Sequence, residues 1–481
     1  MVWKHGRKEP QIFDHQVQTP GPAVLINEYL RDIIKYVPDR THGNAVMLRN
    51  GARFYIDLGS HPEYCTPETI EPRQTVLHEL IGELIVAECL RMFIADNPRV
   101  KAASLIRGLS DMDGNFWSRH LNYSMLLENC SGNQLEQLAM SMNVHNATSR
   151  DMLGSGSVRP NGYDDDGNTK YRYSLGERIH CLSEDIGTGT TKNRPMFRYT
   201  NEALAGANKY RRIQFTGEDS PVSEWTMEMS VGTYALICEG FAQNKLRVIE
   251  PIPLVKASRA ACDIAYGASF DIDGRRKYEF RINGDEDTHM YSTNEIQQMY
   301  IEDLERVEGI SYKDRILDMW RDYANTRANG GKFMHNDTFV KLEYLQKSLA
   351  RDGFEPREPG EMNIHGAKID KSFGVVISAT EEKANKYSIR DLLNKSPVGK
   401  LRNSKFRAYH IPDTEVDSGI NNAPEETRAY ERGRLIEEGI AKKMDWISYS
   451  KEVERMENGK TVLATEKIDL GETPFYGAKQ S

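Results

Sequence analysis

The stretch that decides the fold runs Ala45-Val-Met-Leu-Arg-Asn-Gly-Ala-Arg-Phe-Tyr-Ile-Asp-Leu-Gly-Ser-His-Pro-Glu-Tyr-Cys-Thr-Pro-Glu68. Residues 45–49 and 53–58 read as two short strands, and Asn50-Gly51 between them is a strong two-residue hairpin signal. On the second strand Tyr55 and Asp57 are two apart and share a face, whereas Phe54 and Ile56 share the other. One face is apolar and the other acidic. After a Gly-containing turn come His61, Glu63 and Glu68, so the stretch offers hard oxygen ligands at the density a Mg²⁺-nucleotide site needs. The plainer alternative is a polar strand edge in which Pro67-Glu68 only opens a helical turn.

Working outward, Val76, Leu77, Leu80, Ile81, Leu84 and Ile85 recur at helical spacing just after Pro72 and predict a long helix. Residues 225–229 read as a strand running into a small buried helix over 231–238. The Gly- and Asp-rich run between Met152 and Gly176 predicts a long exposed loop. Helical patterning returns at 295–328 and 337–352, followed by a surface excursion over 355–361. An extended, turn-rich segment is expected over 403–423 and a charged helix over 424–442. These divisions place a boundary near 404, giving a large unit (1–403) and a small C-terminal unit (404–481) docked on it.

The length of 481 residues suits about three domains, or one large enzyme fold with an appendage. Apolar residues at 39% and charged residues at 28% exclude collagenous and wholly disordered chains. No run approaches the roughly 20 apolar residues of a membrane-spanning helix, and the first ten residues lack the apolar core of a secretory signal, so a cytoplasmic location is expected. The six cysteines form no CxxC pair, which argues against a disulfide scaffold and a structural zinc site. A net charge of −8 argues against wholesale binding of nucleic acid.

Three further constellations carry potential chemistry. Trp117-Ser-Arg-His120-Leu-Asn-Tyr123 holds a histidine, which in isolation is more often structural than a ligand. Thr190-Thr-Lys-Asn-Arg194-Pro and Lys209-Tyr-Arg-Arg212-Ile-Gln214 place arginines on strands, where guanidinium forks suit phosphate or carboxylate. Thr427-Arg428-Ala-Tyr-Glu-Arg432-Gly-Arg434 lies near Asp445-Trp446, with Arg428 and Arg432 on one helix face.

In this order, these stretches resemble the Pup ligase and Pup deamidase/depupylase family, relatives of the carboxylate-amine ligases. Asn50-Gly-Ala-Arg-Phe-Tyr-Ile-Asp57, Ser60-His-Pro-Glu-Tyr64 and Thr427-Arg-Ala with Arg432-Gly-Arg434 carry the likeness. Weaker similarity at Arg178, Arg194-Pro195, Tyr210-Arg-Arg-Ile and Val231-Gly-Thr joins them. The resemblance implies an α+β, glutamine-synthetase-like fold, in which a curved antiparallel sheet packed on helices cradles ATP and Mg²⁺ beside a small C-terminal domain. By position it makes Asp57 the catalytic aspartate and Tyr55, Glu63 and His120 metal ligands. Arg212, Arg432 and Arg434 would serve the nucleotide phosphates, and Trp446 the base.

The implied partners are Pup or a Pup-like modifier and lysine-bearing target proteins, joined through an acyl phosphate on the modifier's C-terminal glutamate. Deamidase or depupylase activity is the alternative, and a catalytically impaired binding homologue is the second. The short span from 20 to 43, centred on a helical pattern, leaves no room for the longer loop of the deamidases and favours the ligase. The family's opening G-x-E-x-E strand does not occur in residues 1–44, and the expectation is that it lies upstream of Met1. Leu121, Gln214 and the run 199–203 also depart from the family pattern.

Overall fold

The computed structural model describes residues 25–57, 61–107, 118–130, 132–164, 166–189, 194–199, 210–252, 259–457 and 460–470. The expectations that rest on residues 1–24, Gly59-Ser60, Trp117, Thr190-Thr191 and the stretch after Leu470 lie outside them. Tyr36–Pro38, Ala45–Leu48, Arg53–Asp57 and His61–Cys65 form a four-stranded antiparallel sheet in chain order. The hairpin loop has three residues rather than two. The Gly51 amide donates to the Leu48 carbonyl (2.9 Å) and the Leu48 amide to the Ala52 carbonyl (2.8 Å), with Gly51 left-handed at φ 80°. Asn50 is drawn inward by its side chain, which donates to the Tyr64 hydroxyl (3.0 Å) and accepts from the Ala52 amide (3.2 Å). That leaves Gly51 alone to take the positive φ.

The expected two-faced strand is present. Val46, Leu48 and Phe54 enter an apolar cluster with the long helix Pro72–Asp96, which starts on Pro72 as predicted. Tyr64 of the fourth strand lies flat on that helix at Gly82, where any Cβ would strike the ring. Behind the helix Glu79 and Glu83, one turn apart, bind three arginines: Arg119 and Arg107 at Glu79 (2.7 and 2.9 Å), then Arg107 and Arg402 at Glu83 (3.1 and 2.5 Å). One helix thereby holds the Tyr64 strand, the chain entering His120 and the helix Pro397–Ser404.

A second four-stranded sheet has the order Leu121–Leu126, Tyr210–Phe215, Pro195–Tyr199 and Glu184–Gly187, antiparallel except for its last, parallel pair. With the helices around it, the architecture is the expected α+β class. Three expectations change. Residues 224–242 form one continuous helix (Glu224–Ala242), capped by Ser223, instead of a strand followed by a short helix. It is buried on nearly every side, so no helical period of polar residues marks it. The expected loop after Met152 is a hairpin of Ser157–Tyr163 and Thr169–Ser174, whose buried base holds Val158 and Tyr173. Its polar tip is closed by Asp164, which accepts from the Asn168 amide at 2.7 Å. The segment 403–423 contains the short helix Asp413–Gly419, and Phe406, Ile411 and Val416 join the cluster of the long helix. The chain just past 404 is therefore packed with the large body, and a small separate cluster of Met47, Leu435, Ile436, Ala441, Met444 and Tyr449 begins only later.

The charged helix is Arg428–Glu437, and it lies directly on the hairpin loop. Added Cβ atoms would strike Ala429 from Gly51 and the Arg49 carbonyl from Gly433. Glu68 seals this contact by pairing with both Arg428 (3.2 Å) and Arg432, and the two guanidiniums hold its carboxyl below the usual range although burial opposes this. The triad's stability is therefore present above the carboxylate's unfolded pKa of about 4.3 and lost as pH falls through its lower folded value. Glu68→Gln should destabilise the protein by about 3–5 kcal/mol, because two buried guanidiniums lose their counter-charge. Denaturant unfolding of the variant and the parent at neutral pH checks this; equal midpoints would make the triad energetically idle.

Candidate active site

Arg53, Tyr55 and Asp57 project to the polar face and are paired across the ladder with Cys65, Glu63 and His61. The Arg53 guanidinium bonds to Asp39 (2.7 Å) and lies 4.6 Å from the Tyr55 ring centroid, which fixes that ring. Tyr55 and Glu63 face each other directly across the ladder, so phenol and carboxyl act on each other's charge. Burial, with Cys65 and Glu63 adding to it, pushes the phenol well above its ordinary pKa. Burial likewise raises the Glu63 carboxyl, Asp57 raises it further, and the Tyr55 phenol, Arg53 and Arg212 only partly offset this. Negative charge at Glu63 is thus under-compensated, and the oxygens of Tyr55 and Glu63 are hard donors, so the residues fit Mg²⁺. Among the described residues no three His, Cys, Asp or Glu side chains cluster at metal-holding spacing. Such a cation would complete its shell with water and substrate phosphates, as Mg²⁺ commonly does.

His120 lies on the cationic side of the site. Its side chain is exposed at the surface, with protein crowding round it. Burial, followed by the charges of Arg178, Arg212, Arg198 and Arg194, pushes its imidazole down to about 3. The lowered pKa keeps the imidazole neutral, the form a metal ligand requires, and the guanidiniums beside it suit phosphate. Arg212 joins the two halves, because its charge acts on Glu63 and Cys65 as well as on His120. Its Nε donates to Asn122 Oδ1 at 2.8 Å. Arg178 is held by Thr216 O (3.0 Å), and its backbone amide donates to the buried Asp219 (2.8 Å).

The structure brings Tyr55, Asp57, Glu63, His120 and Arg212 together and separates them from the C-terminal residues. Arg432 is fully buried, donating to Glu68, the Gly51 carbonyl (2.7 Å) and the Trp446 carbonyl (3.2 Å), with its guanidinium 4.9 Å from the Trp446 ring centroid. Arg434 is solvent-facing and pairs with Glu431 (2.6 Å) and Glu438 (2.5 Å) along its own helix. Neither arginine is presented to a phosphate, and one face of Trp446 is already taken by Arg432. Glu68 likewise serves the clamp and not a metal. These residues gather at the loop end of the Arg53–Asp57 strand, whereas Asp57 is at its far end. The sequence marked Arg194 as suited to phosphate or carboxylate but left Arg178 and Arg198 without a role; the available signal was the recurrence of arginine across three neighbouring chain segments, which only the fold converges.

The Pup-ligase protein family model matches residues 3–450. This chain belongs to that family. It is 26% identical over 421 residues to the Pup–protein ligase of Acidimicrobium ferrooxidans, covering 85% of this chain and 83% of the relative. It is also 26% identical to that of Mycobacterium bovis, covering 88% and 87%. Two solved structures share the fold. The Pup ligase PafA in complex with ADP matches with a TM-score of 0.69 at 20% identity, covering 91% of this chain and 88% of that one. The complex between Pup and PafA matches with a TM-score of 0.70 at 18% identity, covering 97% and 87%.

The arginine ring makes a direct prediction for His120. In the ligand-free protein its resonances should not titrate between about pH 5 and 8, whereas added tripolyphosphate should raise its pKa by screening the guanidiniums. Histidine-labelled NMR reads both; ordinary titration near 6.5 without ligand would dissolve the ring as an electrostatic unit.

Proposed function

We propose that this chain is an ATP-dependent ligase that joins the side-chain carboxylate of the C-terminal glutamate of a Pup-like protein to lysines of target proteins. One observation carries this reading: an acidic face of Tyr55, Asp57 and Glu63 is set against the arginine-ringed His120 and connected to it through Arg212. Four guanidiniums suit a polyphosphate, and a carboxylate at the strand end suits proton removal. The names of the relatives and the ADP- and Pup-containing structures sharing the fold support the same substrates.

In this scheme Arg178, Arg194, Arg198 and Arg212 hold the phosphates of ATP and neutralise charge on the transferring group. The γ-phosphoryl passes to the glutamate carboxylate, giving an acyl phosphate and ADP. The lysine amine then attacks the acyl carbon, phosphate leaves, and Asp57 accepts the amine's proton to complete the isopeptide bond. Mg²⁺, held by Tyr55 and Glu63, would supply charge neutralisation at the phosphates. Trp446 keeps only a peripheral role here, through the Arg432 stack.

Incubation with ATP, Mg²⁺, a Pup ending in glutamate and a lysine-bearing protein should yield an isopeptide detectable by mass spectrometry. Asp57→Asn should lower its rate by about 10²- to 10⁴-fold while leaving ADP affinity close to the parent's. Ammonia release from a Pup ending in glutamine, with no conjugate formed, would instead establish the deamidase direction.

A further inference from the structure

Gln214 is buried in the strand Tyr210–Phe215, with Asn122 opposite on one neighbouring strand and Arg198 opposite on the other. The three therefore form a row across the second sheet and share one face. Gln214 Oε1 accepts from Arg198 Nη1 at 2.7 Å. Asn122 does the equivalent for Arg212 through Oδ1 (2.8 Å), while its Nδ2 donates to the His120 carbonyl at 3.2 Å. Both arginines belong to the group around His120.

We propose that Gln214 is a positioning residue that aims the Arg198 guanidinium at a bound polyphosphate. This rests on the nucleotide reading above and deepens it. The chemistry of the acceptor matters. An amide carbonyl orients a guanidinium without adding charge and does not titrate. A carboxylate in its place would form a competing ion pair, and an imidazole would accept the bond only while neutral and repel Arg198 once protonated. Burial of Gln214 limits its rotamers, so the orientation is preset before any ligand arrives.

The test uses the full chain and two probes, tripolyphosphate and ADP, titrated by calorimetry. Gln214→Glu holds shape and adds charge; it should weaken tripolyphosphate binding about tenfold and flatten its dependence on salt. Gln214→Met keeps the size and removes the acceptor without adding charge: it should weaken tripolyphosphate binding less than Gln214→Glu and keep the parent's salt dependence, a split by charge that a purely structural role would not produce. Thermal melts confirm folding, and should either variant fail to fold, the other decides. Parent-like tripolyphosphate binding by the folded variants overturns the proposal, as does absence of tripolyphosphate binding by the parent. A parent that binds tripolyphosphate in this Gln214-dependent way but ignores ADP upholds it and removes the nucleotide reading alone.

Discussion

A single carboxylate, Glu68, is shared by two guanidiniums of a helix some 360 residues further along the chain. Both guanidiniums are buried and the carboxylate is largely so, which leaves each arginine dependent on the partner it meets there. The geometry that satisfies them also brings the Arg432 guanidinium onto the Gly51 carbonyl and the helix backbone onto the loop. The hairpin that carries Tyr55 and Asp57 is consequently gripped at its turn. Because strand side chains alternate with a period of two, a one-residue slip would send Tyr55 and Asp57 into the core and Phe54 and Ile56 to the site. A fixed turn prevents that.

The other fixed point is the helix Pro72–Asp96. Its one face accepts the Tyr64 ring against Gly82, and its carboxylates Glu79 and Glu83 collect arginines from three separate stretches of chain. The strand of Glu63 and the approach to His120 are thus referred to one rigid element. This is how two sheets without a shared ladder among the described residues keep a fixed relation at the site. The division of charge follows from it, with under-compensated carboxylates on one side and converging guanidiniums on the other. A Mg²⁺-polyphosphate, positive toward the first and negative toward the second, is complementary to both.

Much of this was legible in residues 45–68. The alternation of Arg53 to Asp57, the Asn50-Gly51 turn signal and Pro72 ahead of a periodic apolar run specify a two-faced hairpin and a helix from local physics alone. The likeness to the Pup ligases added roles for Tyr55, Asp57 and Glu63, which the ladder sets on adjoining strands. Local reading failed where burial removed periodicity, as in Glu224–Ala242, and where a polar composition concealed a paired hairpin, as in 157–174.

The fate of the arginines was a different matter. Arg432 and Arg434 are two apart in one motif, yet one is buried against Glu68 and the other faces solvent between Glu431 and Glu438. Conversely, Arg178, Arg194 with Arg198, and Arg212 come from three segments, and all four act on His120. By itself the sequence determined which residues could carry charge and which strand face they would occupy, because backbone periodicity is local. Only the tertiary structure decided which charges meet, since a guanidinium's role depends on the groups packed round it, and for Arg432 the partner, Glu68, comes from chain more than 360 residues away.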